Sequence, residues 1–163
     1  SFSKSKYSFL LLAIDRNVVL GFIVISLNSR EFFKRYLLSH GFRNLHRIPT
    51  AIFGKLFLKK SFEVLKYPFR KKGANELFSS DTEIFNFCVD SASQGLGVGQ
   101  LLFARAIEKL KIEKIKDLKI VTGPSQIGAQ NFYHRSGATL SHKVIVHEGE
   151  ESMVFKYSIN EIK

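Results

Sequence analysis

The sequence predicts a mixed α/β fold, a sheet with helices packed against it, and three observations carry that prediction. Two apolar, β-rich runs, Tyr7–Ile14 and Val18–Leu27, flank the polar triplet Asp15-Arg16-Asn17, the pattern of a hairpin. An alternating strand-like segment, Glu83-Ile84-Phe85-Asn86-Phe87-Cys88-Val89, leads into the glycine-rich stretch Gln94-Gly95-Leu96-Gly97-Val98-Gly99. Beyond it Leu101, Leu102, Ala106, Ile107 and Leu110 recur at helical spacing. The remaining chain reads as a strand, a helix and a closing hairpin.

In chain order, the hairpin is expected at about 7–14 and 18–27, followed by short helices across about 31–66 and a basic link at Arg70–Asn75. A strand at 82–89, the glycine turn, a helix at 98–113 and a strand at 118–122 come next. A helix at 126–136 and a hairpin near 139–147 and 152–159 complete the chain. Lys4 and Lys6 ahead of Tyr7–Ile14 mimic a signal peptide, but Asp15-Arg16-Asn17 follows at once with no small-residue cleavage site. Cys88 is the single cysteine, which rules out an internal disulfide and makes a reducing, cytoplasmic setting the expectation. Flanked by apolar residues in mid-strand, Cys88 is read as an inert packing residue rather than a nucleophile.

A chain of 163 residues fits one domain with a real core, and its 45% hydrophobic and 24% charged residues are ordinary for a globular protein. Sixteen Phe and no Trp argue for an aromatic core. No apolar run approaches the roughly 20 residues a bilayer-spanning helix requires, and no His/Cys/Asp spacing resembles a metal site. The net charge of +11 is localised: residues 30–72 carry twelve Lys/Arg against Glu31 and Glu63, and the rest of the chain is nearly neutral. In that segment Phe32, Phe33, Tyr36 and Leu37, then Ile52, Phe53, Leu56 and Phe57, repeat at helical spacing. Three readings stand side by side for it: a helical lid with solvated charges, an acceptor pocket for an anionic substrate, and a patch for an anionic membrane surface. A nucleic-acid surface has charge alone in its favour and no motif.

The glycine turn carries most of the chemistry. A strand-to-helix turn exposes free N–H groups at the positive end of a helix, where a phosphate binds. Glycines let the backbone approach the anion and adopt positive φ. Gly95, Gly97 and Gly99 fall at every second position, so the Gly-x-Gly-x-x-Gly of dinucleotide folds is not met, and Asp117 is the only candidate for its ribose-binding acid. No Gly-Lys-Ser/Thr follows, which excludes a P-loop.

Gln94, Gly97 and Gly99, as Gln-x-x-Gly-x-Gly, resemble the acetyl-CoA signature of the GNAT superfamily of N-acetyltransferases. Downstream, Ala129-Gln130-Asn131-Phe132-Tyr133-His134-Arg135-Ser136-Gly137-Ala138 is similar to that family's second motif, with Gln126 at its usual Asn position and Ala138 at its usual Phe. The resemblance covers roughly residues 7–29 and 82–159 of a single domain, residues 1–163. It implies a mixed, mostly antiparallel central sheet with flanking helices, and no counterpart here of the family's first strand and the helices after it. Residues 30–72 then form a basic helical insert between the third and fourth strands, resembling a GNAT branch associated with polysaccharide and amino-sugar pathways.

The resemblance also implies roles. Acetyl-CoA is the acyl-donor cosubstrate, with Gln94, Gly95, Leu96, Gly97, Val98, Gly99 and Gln100 around its pyrophosphate. Phe87, Cys88 and Val89 lie along the pantetheine arm through backbone groups, where this strand splays from the next, and Asn131 contacts the same arm. Tyr133 is the expected general acid for the departing thiolate. Glu83 is the first candidate for general base, with His147, His40 and His46 behind it and Asp90 set too close to the phosphates; water alone is the remaining option. The expected reaction is direct attack by a primary amine of a small molecule, an amino sugar or its nucleotide-linked form being favoured. The competing reading is a catalytically degenerate acyl-CoA-binding module that docks on anionic membrane or an acidic partner through residues 30–72. Expected partners are thus the amine acceptor, a peripheral anionic membrane contact and a second copy in a homodimer.

Overall fold

The structure, a computed structural model, describes residues 6–36, 80–147 and 150–159. The expected insert therefore lies outside the described residues except for its start, as do His40, His46 and the Arg70–Asn75 link. The described chain forms six strands, β1 (Ser8–Asp15), β2 (Val18–Ser26), β3 (Glu83–Val89), β4 (Asp117–Thr122), β5 (Thr139–His147) and β6 (Glu150–Ser158). Three α-helices accompany them, α1 (Ser29–Tyr36), α2 (Val98–Ile112) and α3 (Ile127–Arg135). One sheet takes them in the order β1-β2-β3-β4-β6-β5. Only β3 and β4 are parallel; β1–β2, β2–β3, β4–β6 and β5–β6 pair antiparallel. No helix among the described residues is long and apolar enough to cross a membrane.

Local chemistry explains most boundaries. Arg16 and Asn17 both hold positive φ, +44° and +69°, which gives β1 and β2 a two-residue turn whose twist matches the strands. Asn28 starts α1: its Oδ1 accepts the Glu31 N–H at 3.0 Å, so the helix opens at Ser29, ahead of Phe32, the first residue of its apolar repeat. Two helices end in the same left-handed device. After α2, the Ile115 N–H donates to Leu110 O at 3.0 Å and the Lys114 N–H to Lys111 O at 2.9 Å, with Lys114 at φ +56°. After α3, the Ala138 N–H donates to Tyr133 O at 2.9 Å and the Gly137 N–H to His134 O at 3.0 Å, with Gly137 at φ +96°.

The core lies between the sheet and α2. Phe9, Ile23, Ile25, Ile84, Leu118, Ile120 and Phe155 meet Leu102, Phe103, Ala106, Ile107 and Leu110. The buried face of α2 thus includes Phe103, whereas Leu101, expected on it, is 56% exposed. A Cβ on Gly21 would stand 2.8 Å from Cys88 O and 3.3 Å from a Leu102 methyl, so glycine is what lets β2, β3 and α2 approach this closely.

The reading of Cys88 as a packing residue is corrected: its side chain is exposed. It pairs with Phe22 on β2, while its neighbours Phe87 and Val89 turn toward the helices and pack on the core. Strand alternation sends Cys88 to the opposite face. Its apolar neighbours in sequence are therefore not its neighbours in space.

Candidate active site

The sheet opens at its centre. β3 and β4 share one registered pair, Glu83 with Lys119, and the Lys119 N–H donates to Thr82 O at 2.9 Å. Beyond that rung the two parallel strands pair no further, and the chain leaves β3 through the glycine turn. Asp90 builds the first part of this turn. Its carboxylate accepts the Ala92 N–H at 3.1 Å and the Ser93 hydroxyl at 3.4 Å around one 3₁₀ turn, Ser91–Ser93. That is a local turn-forming role. Gly95 and Gly97 then take φ +77° and +82°, a conformation costly for residues with a Cβ. Gly97 is the N-cap of α2 and gives it no side-chain hydrogen bond. The first N–H groups of a 15-residue helix are thus left for a ligand to meet.

A cavity of about 430 Å³ lies at this turn. Phe87 and Val89 from β3, the glycines with Gln94 and Gln100, and a stripe on α3 form its wall. The stripe is Gly128, Ala129, Phe132, Tyr133 and Arg135. A Cβ on Gly99 would sit 3.6 Å from Phe132 and 3.8 Å from Phe87, so the helix start borders the aromatic wall directly.

Tyr133 is set by aromatic packing. Phe132 lies 5.4 Å from it between ring centroids, Phe103 6.0 Å and Phe87 6.4 Å. The first two contacts are edge-to-face and the third is tilted, and such packing fixes ring orientation. The residue is only 5% exposed, and burial pushes its phenol well above the ordinary tyrosine value. Tyr133 therefore holds its proton throughout the neutral range at the wall of the cavity.

α3 is fixed at its other end by two amides. Gln126 Oε1 accepts the Gly123 N–H at 2.9 Å, and Gln130 Nε2 donates to Gly123 O at 2.8 Å and to Pro124 O at 3.3 Å. The residue that departs from the motif, Gln126, thus clasps the turn before α3. Ala138, the other departure, is a core residue just past the helix cap.

The structure brings together Phe87, Val89, Gln94, Gly95, Gly97, Gly99, Gln100 and Tyr133. Four expected cofactor residues do not reach the cavity wall. Leu96 is 75% exposed at the tip of the turn, Val98 packs on the core, Asn131 is exposed on α3 off the cavity stripe, and the Cys88 side chain faces away. Glu83 is also off the wall. It is buried rather than exposed, and its carboxylate meets Lys119 Nζ at 2.7 Å. His147 ends β5. Sequence reasoning passed over Ser93, Gly128, Ala129, Phe132 and Arg135 as site residues. The spacing i, i+1, i+4, i+7 of Gly128, Ala129, Phe132 and Arg135 puts them on one helix face and was the available signal.

Residues 59–153 match the family model described as the acetyltransferase (GNAT) domain. No curated protein sequence matches the chain. Among solved structures, the chain is similar to a Bacillus anthracis protein assigned as a streptothricin acetyltransferase and crystallised with acetyl coenzyme A. That match has a TM-score of 0.60 at 15% identity and covers 96% of this chain and 65% of that one. The Escherichia coli ribosomal-protein-S18-alanine N-acetyltransferase matches with a TM-score of 0.57 at 11% identity, over 99% of this chain and 75% of that one. Ard1 from Thermoplasma volcanium matches with a TM-score of 0.58 at 14% identity, over 93% and 71%. At such identities these likenesses speak to the fold: a mixed sheet, mostly antiparallel, flanked by helices.

Proposed function

The chain belongs to the GNAT acetyltransferase domain family, whose members take acetyl from acetyl-CoA, and from that premise we propose that it acetylates a primary amine of a small molecule at the cavity beside Tyr133. One observation carries the reading. The uncapped start of α2, with Gly95 and Gly97 at positive φ, opens into the same cavity as a buried, protonated tyrosine.

These residues fit the cofactor. The N–H groups around Gly97 and Gly99 suit a pyrophosphate, and no Cβ stands in its way at Gly95 or Gly97, where a Cβ would meet nothing within 4 Å. Phe87, Val89, Ala129 and Phe132 offer an apolar wall to the pantetheine arm. When bound, acetyl-CoA supplies the activated thioester. Tyr133 holds a proton at its hydroxyl for the departing sulfur, and the surrounding aromatic rings exclude water from it. Glu83, engaged by Lys119 at the root of the split, is assigned to holding β3 and β4 together there, and water takes the proton of the amine. An amino sugar or its nucleotide-linked form is the favoured acceptor. The basic character of residues 30–72 supports the nucleotide-linked form in particular, whose diphosphate is anionic.

Calorimetric titration with acetyl-CoA, with desulfo-CoA and ATP as comparison ligands, tests the reading. CoA-selective binding, followed by turnover of an amino-sugar amine, is the expected result. Absence of CoA binding would sink the cofactor assignment. Binding without turnover of any amine would favour the acyl-CoA-binding module instead.

A further inference from the structure

We propose that Arg135 binds the 3′-phosphate of the cofactor and sets a preference for CoA over its dephospho form; the inference rests on the cavity being the acetyl-CoA site. Arg135 is the only formally charged residue in the cavity wall among the described residues. It lies on the α3 stripe with Gly128, Ala129 and Phe132, and no carboxylate among the described residues pairs with it. His134, in the same last turn, is off the cavity wall. A basic residue in a last turn complements the helix dipole wherever it points. Of this pair, only Arg135 also lines the cavity.

The ligand brings two anionic groups, and the chain has two kinds of partner for them. The pyrophosphate matches the α2 N-terminus, whose partial positive charge is spread over several N–H groups. The 3′-phosphate is a monoester, which carries between one and two negative charges near pH 7. Such a group calls for a full cation, and the planar guanidinium fork meets phosphate oxygens in pairs.

The test is a set of dissociation constants for CoA and dephospho-CoA at one fixed ionic strength, with the wild type, R135K and R135Q. The wild type should bind CoA roughly tenfold tighter than dephospho-CoA, the scale of one charge-assisted contact at a partly solvated site. R135Q should bind both ligands equally, at the wild-type affinity for dephospho-CoA, and R135K should keep part of the preference. The proposal is overturned if R135Q weakens both ligands by the same factor, which would place Arg135 on the pyrophosphate. It is also overturned if the preference survives in R135Q while KM rises for an acidic acceptor, or if nothing changes. A wild type that binds neither ligand would instead remove the cofactor reading, and this proposal with it. Arg135 is exposed, so R135Q is expected to fold, and the matched dephospho-CoA affinity of the variant checks this directly.

Discussion

At the residue scale, the proposed reaction rests on Tyr133 as proton donor. Burial among Phe87, Phe103 and Phe132 raises its pKa and fixes its ring. Y133F should lower turnover by about a hundredfold, within the usual range for loss of a general acid, and leave acetyl-CoA affinity within about threefold. Steady-state kinetics with a binding titration separates the two effects; unchanged turnover would remove Tyr133 from the mechanism. The same burial has a thermodynamic consequence at high pH. The unfolded tyrosine ionises near pH 10 whereas the folded one resists ionisation, so its contribution to stability is full below pH 10 and is lost as pH rises. Above pH 10 the wild type should therefore lose up to about 1.4 kcal/mol per pH unit more than Y133F, read from urea denaturation. The motif around Tyr133 was legible in the sequence. The burial that tunes it was not, because it depends on Phe87 and Phe103 arriving from other elements.

At the scale of elements, the glycine turn joins a conformational demand to a spatial one, and the two fall on different glycines. Gly97 needs its positive φ but has open space around a Cβ. G97A should destabilise the fold by about 1–2 kcal/mol through left-handed strain, visible as a lower urea midpoint. Gly99 lies inside α2, and a Cβ there would sit 3.6–3.8 Å from Phe132, Val89 and Phe87. G99A should hold stability within about 1 kcal/mol, because alanine favours the helix, yet weaken acetyl-CoA binding roughly tenfold by narrowing the cavity. Equal effects from both substitutions would mean that the turn is only a connector. The turn and its helix were readable from glycine spacing and apolar period. The burial of Phe103 in place of Leu101 was not, because the rotation of α2 is set by Gly21 and the sheet beneath it.

Across the whole molecule, the proposed site lies where the sheet is held closed at one point and open beyond it. The Glu83–Lys119 pair stands at that point, with both side chains largely out of water. K119M removes the cation that stands 2.7 Å from the buried Glu83 carboxylate and should cost about 3 kcal/mol in chemical denaturation. E83Q should leave the pH dependence of kcat/KM unchanged; disappearance of its acidic limb would restore Glu83 as the general base. The sequence by itself determined the order and type of the described elements, the hairpin at Asp15–Val18, the glycine turn at the start of α2 and the candidacy of Tyr133. Each of these follows from residues adjacent in the chain or one helical turn apart, where period, capping and backbone freedom act. Only the tertiary structure decided that Glu83 is tied to Lys119, that Cys88 faces away from the helices, that Asn131 misses the cavity and that Arg135 reaches it. Those facts depend on where β4, α2 and α3 come to rest on β3, which is a matter of packing between residues far apart in the chain.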